Sequence, residues 1–142
     1  MEGGFTMKVW LNGCFDVLHH GHFKLLQYAA SFGSEVIIGI DSDDRVKKLK
    51  GEGRPFHSES ERAFNLKQIK GVSTVVIFDS DEMLRELLER YKPDKFIIGS
   101  DYLGKEIIGQ EFAKQIVIFD RLDKFSTTDI LRYENNSNRR NL

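Results

Sequence analysis

Asn12-Gly13-Cys14-Phe15-Asp16-Val17-Leu18-His19-His20-Gly21-His22 is the stretch whose reading decides the fold. A short apolar run, Met7 to Leu11, precedes it, and Phe23, Leu25, Leu26, Ala29, Ala30 and Phe32 follow at helical spacing. A strand, a glycine turn and a helix start in that order make an anion site. The first helical N–H groups have no partner within the helix, the dipole is positive there, and glycine lets a phosphate approach the backbone. His19 and His22 are three residues apart, so both rings project from one face of a first helical turn, with Gly21 keeping the space between them open. Two imidazoles beside a cluster of N–H donors suit a polyphosphate whose α-phosphorus gains charge during displacement. His20 reads as a solvated loop residue. A structural zinc site is the competing reading, but His57 is the only other histidine and Cys14 the only cysteine, so it would have to recruit carboxylates.

The rest of the chain bounds the class. At 142 residues it is expected to form one domain over residues 1–133 with a flexible tail at 134–142, whose Asn, Arg and Ser content is too polar to pack. Apolar residues make up 40% and charged ones 30%, and no apolar run approaches the length of a membrane helix. The opening Met1-Glu2-Gly3-Gly4-Phe5-Thr6 lacks the basic start and apolar stretch of a signal peptide, and a single cysteine excludes an internal disulfide. A cytoplasmic location is therefore expected. A net charge of −1 argues against a nucleic-acid surface, yet Lys47, Lys48, Lys50, Arg54 and Arg62 lie close together, as a pocket for a small anion would require.

Strands alternate with helices. Strands are expected at 8–12, 35–40, 73–78, 95–98 and 115–119, and helices at 20–32, 60–69 and 81–91, with a charged loop or short helix over 45–51. That order implies right-handed crossovers and a Rossmann-like, three-layer α/β/α fold around a five-stranded parallel sheet. Ligands in such sheets sit beyond the strands' carboxyl ends. The signature turn, Asp41, Gly99-Ser100-Asp101 and Arg121 all follow strand ends, so every candidate group falls on one rim.

Gly13-x-Phe15-Asp16-x-Leu18-His19-x-Gly21-His22 resembles the signature of the cytidylyltransferase-like nucleotidyltransferases, a branch of the HIGH superfamily. Arg121 followed by Ser126-Thr127-Thr128 resembles the family's second motif, although Leu122-Asp123-Lys124-Phe125 replaces the residues usual in its glycerol-phosphate members. The resemblance spans roughly residues 7–133 and implies transfer of NMP from ATP or CTP to a phosphorylated metabolite, with Mg²⁺ carried by the triphosphate and a homodimer as the usual assembly. It implies catalytic roles for His19, His22, Lys50 and Arg121. Nucleotide contacts fall to Asn12, Gly13, Cys14, Phe15, Gly21, Lys47, Gly99, Asp101, Ser126, Thr127 and Thr128, with Lys47 and Lys50 alternatives for the phosphate-binding lysine. Asp16 and Arg62 are expected at the acceptor, Asp16 also orienting the site or the magnesium shell. Asn12-Gly13-Cys14-Phe15-Asp16, Lys50-Gly51 and Arg54-Pro55 favour a heptose 1-phosphate adenylyltransferase. Glycerol-3-phosphate cytidylyl transfer, archaeal-type FAD synthesis and an inactive nucleotide-binding module are the alternatives. No nucleophile–base arrangement of side chains is visible, and none is needed, since an acceptor phosphate is mostly dianionic at neutral pH.

Overall fold

A computed structural model describes residues 7–33 and 35–120. The strands are β1 (Lys8–Gly13), β2 (Glu35–Asp41), β3 (Val72–Phe78), β4 (Lys95–Gly99) and β5 (Gln115–Phe119). The helices are α1 (His20–Ala30), α2 (Asp43–Lys50), α3 (Glu59–Lys67) and α4 (Asp81–Tyr91), with short 3₁₀ turns at Ser100–Tyr102 and Gln110–Phe112. The five strands form one sheet in the order β3-β2-β1-β4-β5, and every pairing is parallel. The expected α/β architecture is therefore the one observed, and β1, with the signature behind it, is its central strand.

Side chains along β1 alternate between the faces. Val9 and Leu11 pack with Leu26 and Ala29 of α1 and Ala63 and Leu66 of α3, while Trp10 packs with Ile37, Phe78, Phe96 and Leu84, Leu87 and Leu88 of α4. At β2, Gly39 meets that second layer so closely that a Cβ would stand 2.7 Å from Trp10 Cζ2. The sheet thus uses the missing side chain to seat an indole.

Several boundaries differ from expectation, and three of them do so for a capping reason. The charged 45–51 stretch is helical from Asp43, because Ser42 accepts from the Arg45 N–H and the helix carries acids in its first turn and lysines in its last. α3 begins at Glu59, one residue early, because Ser58 and Glu61 form a reciprocal capping box. α1 stops at Ala30, short of Phe32: the Ser31 amide still bonds back, and Gly33 at φ 121° turns the chain away.

Gly39→Ala should destabilise the fold by about 1–3 kcal/mol through overpacking against Trp10. Urea unfolding checks this: the midpoint should drop with no change in slope.

Candidate active site

The signature loop joins β1 to α1 and closes the helix with its own histidines. His19 is the N-cap, its Nδ1 accepting from the Gly21 N–H at 3.0 Å, while the His19 N–H donates to His22 Nδ1 at 3.2 Å. This is a capping box in which imidazoles replace the usual hydroxyl and carboxylate. The consequence is chemical. An accepting Nδ1 carries no hydrogen, so each neutral ring bears its proton on Nε2, the edge turned away from the helix. The rings lie 3.9 Å apart between centroids, and Phe15 supports His22 from 5.3 Å. Phe15 is buried at φ 51°, in the left-handed region, a conformation that costs about 1–3 kcal/mol and is held by the packing around it.

Beneath the loop two buried charged side chains fasten it to the neighbouring segments. Asp16 accepts from the Phe56 and His57 N–H groups, both at 2.8 Å, with Arg54 Nε 3.5 Å away. Arg62 is 1% exposed and donates to four acceptors: His57 O at 3.0 Å, Cys14 O at 3.0 Å, Asp41 O at 2.7 Å and Asp43 Oδ1 at 2.9 Å.

Above the loop a cavity of about 490 Å³ opens at the carboxyl ends of the strands. Asn12, Gly13, Cys14, Phe15, His19, Gly21 and His22 form its middle. Asp41, Arg45, Leu49 and Lys50 close it on the β2 side, and Gly99, Asp101, Tyr102 and Glu106 on the β4 side. Asn12 Oδ1 accepts from Trp10 Nε1 at 2.8 Å, and because an indole can only donate, the amide is fixed with its NH₂ as the other edge. Burial pushes the Cys14 thiol above its ordinary value, against the pull of Lys50 and Arg62, so it stays protonated. Gly99 admits the folded-back Asp101 carboxylate, whose Oδ1 would lie 2.6 Å from any Cβ there. Burial works against the Arg45 charge, but hydrogen bonds to Asp81 and Asp41 outweigh it and hold the guanidinium above its ordinary pKa.

Residues 10–132 match the family described as Cytidylyltransferase-like. The chain belongs to that family. It is 44% identical over 130 residues to the bifunctional protein HldE of Campylobacter fetus subsp. fetus (strain 82-40), covering 92% of this chain and 28% of the relative. Against the bifunctional protein HldE of Helicobacter pylori (strain P12), identity is 45% over 123 residues, covering 87% of this chain and 26% of the relative. The chain thus spans about a quarter of the length of these relatives. The crystal structure of the lipopolysaccharide core biosynthesis protein from Thermoplasma volcanium GSS1 shares the fold, with a TM-score of 0.64, 21% identity, and coverage of 82% of this chain and 97% of that one.

Within this cytidylyltransferase-like domain most of the expected groups meet at one place. His19, His22, Asn12, Gly13, Cys14, Phe15, Gly21, Gly99, Asp101 and Lys50 line a single cavity. Lys47 does not, although both lysines lie in the last turn of α2. Arg121, Ser126, Thr127 and Thr128 lie outside the described residues. Two expectations are corrected. Arg62 does not face an acceptor, because its guanidinium is buried and committed to backbone carbonyls and Asp43. Asp16 is likewise 1% exposed, with its carboxylate taken by backbone N–H groups, so it orients the loop and is withdrawn from substrate and metal. Among the described residues no group of three His, Cys, Asp or Glu stands ready to hold an ion. Sequence reasoning missed Arg45, which lines the cavity, and gave Arg54 no individual role. Arg54 has its Nε and Nη2 buried without a hydrogen-bond partner, and only its place in the basic cluster marked it.

Arg62→Met should cost about 3 kcal/mol, since it strands three carbonyls that a buried guanidinium now satisfies and removes the partner of the half-exposed Asp43. Chemical denaturation checks this, and a loss below about 1 kcal/mol would show that the four bonds do not hold the loop.

Proposed function

We propose that this domain transfers a nucleoside monophosphate from an NTP to the phosphate of a small phosphorylated metabolite, releasing pyrophosphate. The single observation that carries the reading is the imidazole cap: two rings, 3.9 Å apart, that commit Nδ1 to the helix start and line a cavity with Lys50. An acceptor phosphate oxygen attacks the α-phosphorus, a new P–O bond forms, and the bond to the β-phosphate bridging oxygen breaks, that oxygen leaving with its electron pair on pyrophosphate. His19 and His22 donate from Nε2 to oxygens that gain charge in this step, and Lys50 neutralises the phosphates. No proton need be removed from the nucleophile, which suits a site whose one thiol is held protonated. Mg²⁺ enters on the triphosphate oxygens as part of the substrate. Arg121, Ser126, Thr127 and Thr128 complete the phosphate contacts by family resemblance, and Asp101 takes the ribose hydroxyls.

The best-supported substrates are ATP and a sugar phosphate, with heptose 1-phosphate foremost. Support comes from the identity of 44–45% to proteins named HldE, together with the Asn12-Gly13-Cys14-Phe15-Asp16 form of the signature. Pyrophosphate release from four NTPs, each paired with heptose 1-phosphate, hexose 1-phosphates and glycerol 3-phosphate, tests this. ATP with a sugar 1-phosphate should give the highest kcat/KM. Preference for CTP with glycerol 3-phosphate would replace the substrate assignment. Thermal stabilisation by nucleotide without pyrophosphate would make this a binding module.

His22→Ala should lower kcat about a hundredfold, the cost of one preorganised donor. His19→Ala should lose similar activity and also about 1 kcal/mol of stability with the cap, whereas His19→Asn should keep the cap and remain inactive. Full turnover in His19→Asn and His22→Ala would remove the imidazoles from the reaction.

A further inference from the structure

The cavity has two unlike wings. Its middle is the signature loop, and sheet order puts β4 on one side of β1 and β2 then β3 on the other. The β4 wing carries Asp101, the group assigned to the nucleotide's ribose. The β2 wing carries an ion-paired cluster with no part in the mechanism so far. Arg45 Nε donates to Asp41 Oδ1 and its Nη2 to Asp81 Oδ1, both at 2.7 Å, and the guanidinium lies 5.2 Å above the Phe78 ring. Asp41, Arg45 and Phe78 line the cavity, and the Arg45 and Asp41 side chains are only 18% and 15% exposed.

Building on the nucleotidyl-transfer reading, we propose that Asp41 and Arg45, braced by Asp81, form the subsite that reads the hydroxyl groups of a sugar-phosphate acceptor. Three features of the cluster support this. Asp41 uses one carboxylate oxygen on Arg45, and Arg45 uses two of its three nitrogens on carboxylates, so one acceptor on Asp41 and one donor on Arg45 remain uncommitted among the described residues. Vicinal hydroxyls, which both donate and accept, match that pair. The charge also sets direction. Two carboxylates against one guanidinium leave the cluster negative, which disfavours a phosphate there and turns the acceptor's phosphate toward Lys50 and the imidazoles. Finally, the cluster is rigid: Arg45 is held by strand end, helix start and ring at once, so hydroxyl recognition needs little further ordering. A three-carbon acceptor such as glycerol 3-phosphate offers fewer hydroxyls for this pair than a sugar does.

The test uses Arg45→Met, which keeps the stem and removes the fork, and Arg45→Lys, which keeps the charge. With ATP fixed, KM for hexose 1-phosphates and heptose 1-phosphate should rise tenfold or more in Arg45→Met and less in Arg45→Lys. KM for ATP and kcat/KM for glycerol 3-phosphate should move less than twofold. A merely structural brace would instead raise the KM of both substrates together or lower kcat alone, and either result overturns the proposal. So does a wild type that prefers glycerol 3-phosphate. Calorimetric titration of the same sugar phosphates in the presence of a non-hydrolysable ATP analogue keeps the two readings distinguishable. Arg45-dependent binding without turnover would sink nucleotidyl transfer and leave the subsite standing, and no binding to the wild type would sink the subsite.

Discussion

The buried guanidinium of Arg62 is the constraint on which the site rests. It draws together four segments that are distant in sequence: the signature loop at Cys14, the end of β2 at Asp41, the start of α2 at Asp43 and the connection at His57. Asp16 works from the opposite side, its carboxylate fixing the backbone of Phe56 and His57. Such groups are costly to bury, and they persist here because each charged atom has a matched partner. The result is a rigid floor under a loop that contains a left-handed phenylalanine.

On that floor the histidines do two jobs with one ring each. A helix start leaves N–H groups unsatisfied, and most proteins answer with Ser, Asp or Glu. Here the imidazole Nδ1 atoms answer, and the act of capping determines which ring nitrogen keeps its proton. Structure and chemistry are therefore not separable at these positions. The helix N-terminus that attracts a phosphate is the same one that orients the donors for it.

The cavity's two wings follow from topology. A central β1 with β4 on one side and β2 on the other sets the signature loop between Asp101 and the Asp41–Arg45 pair. The proposed transfer between two phosphorylated partners uses such a division, one wing for each, with charge-neutralising groups where they meet. Charge is unevenly spread along the rim: the imidazoles stand at the centre, Asp101 and Glu106 on the β4 side, and Asp41, Arg45 and Lys50 on the β2 side.

The sequence by itself determined the order of elements and the parallel sheet, because apolar runs such as Val36 to Ile40 and the helical period of Met83, Leu84, Leu87 and Leu88 are local signals. It also singled out the signature and the histidines, which the structure brings to one cavity, since that reading depends on a turn, a helix start and spacing within one stretch. Helix ends were less legible, for a cap such as Ser58 with Glu61 competes with equally good neighbours. What only the tertiary structure decided is which charged residues face the ligand. Arg62 belongs to the basic cluster that the sequence marks and Arg45 does not, yet Arg62 is sealed beneath the loop and Arg45 lines the cavity. The physical reason is that a side chain's partners come from segments tens of residues away. Cys14 and Asp41 decide the fate of Arg62, and Asp81 that of Arg45, and no local pattern records those distances.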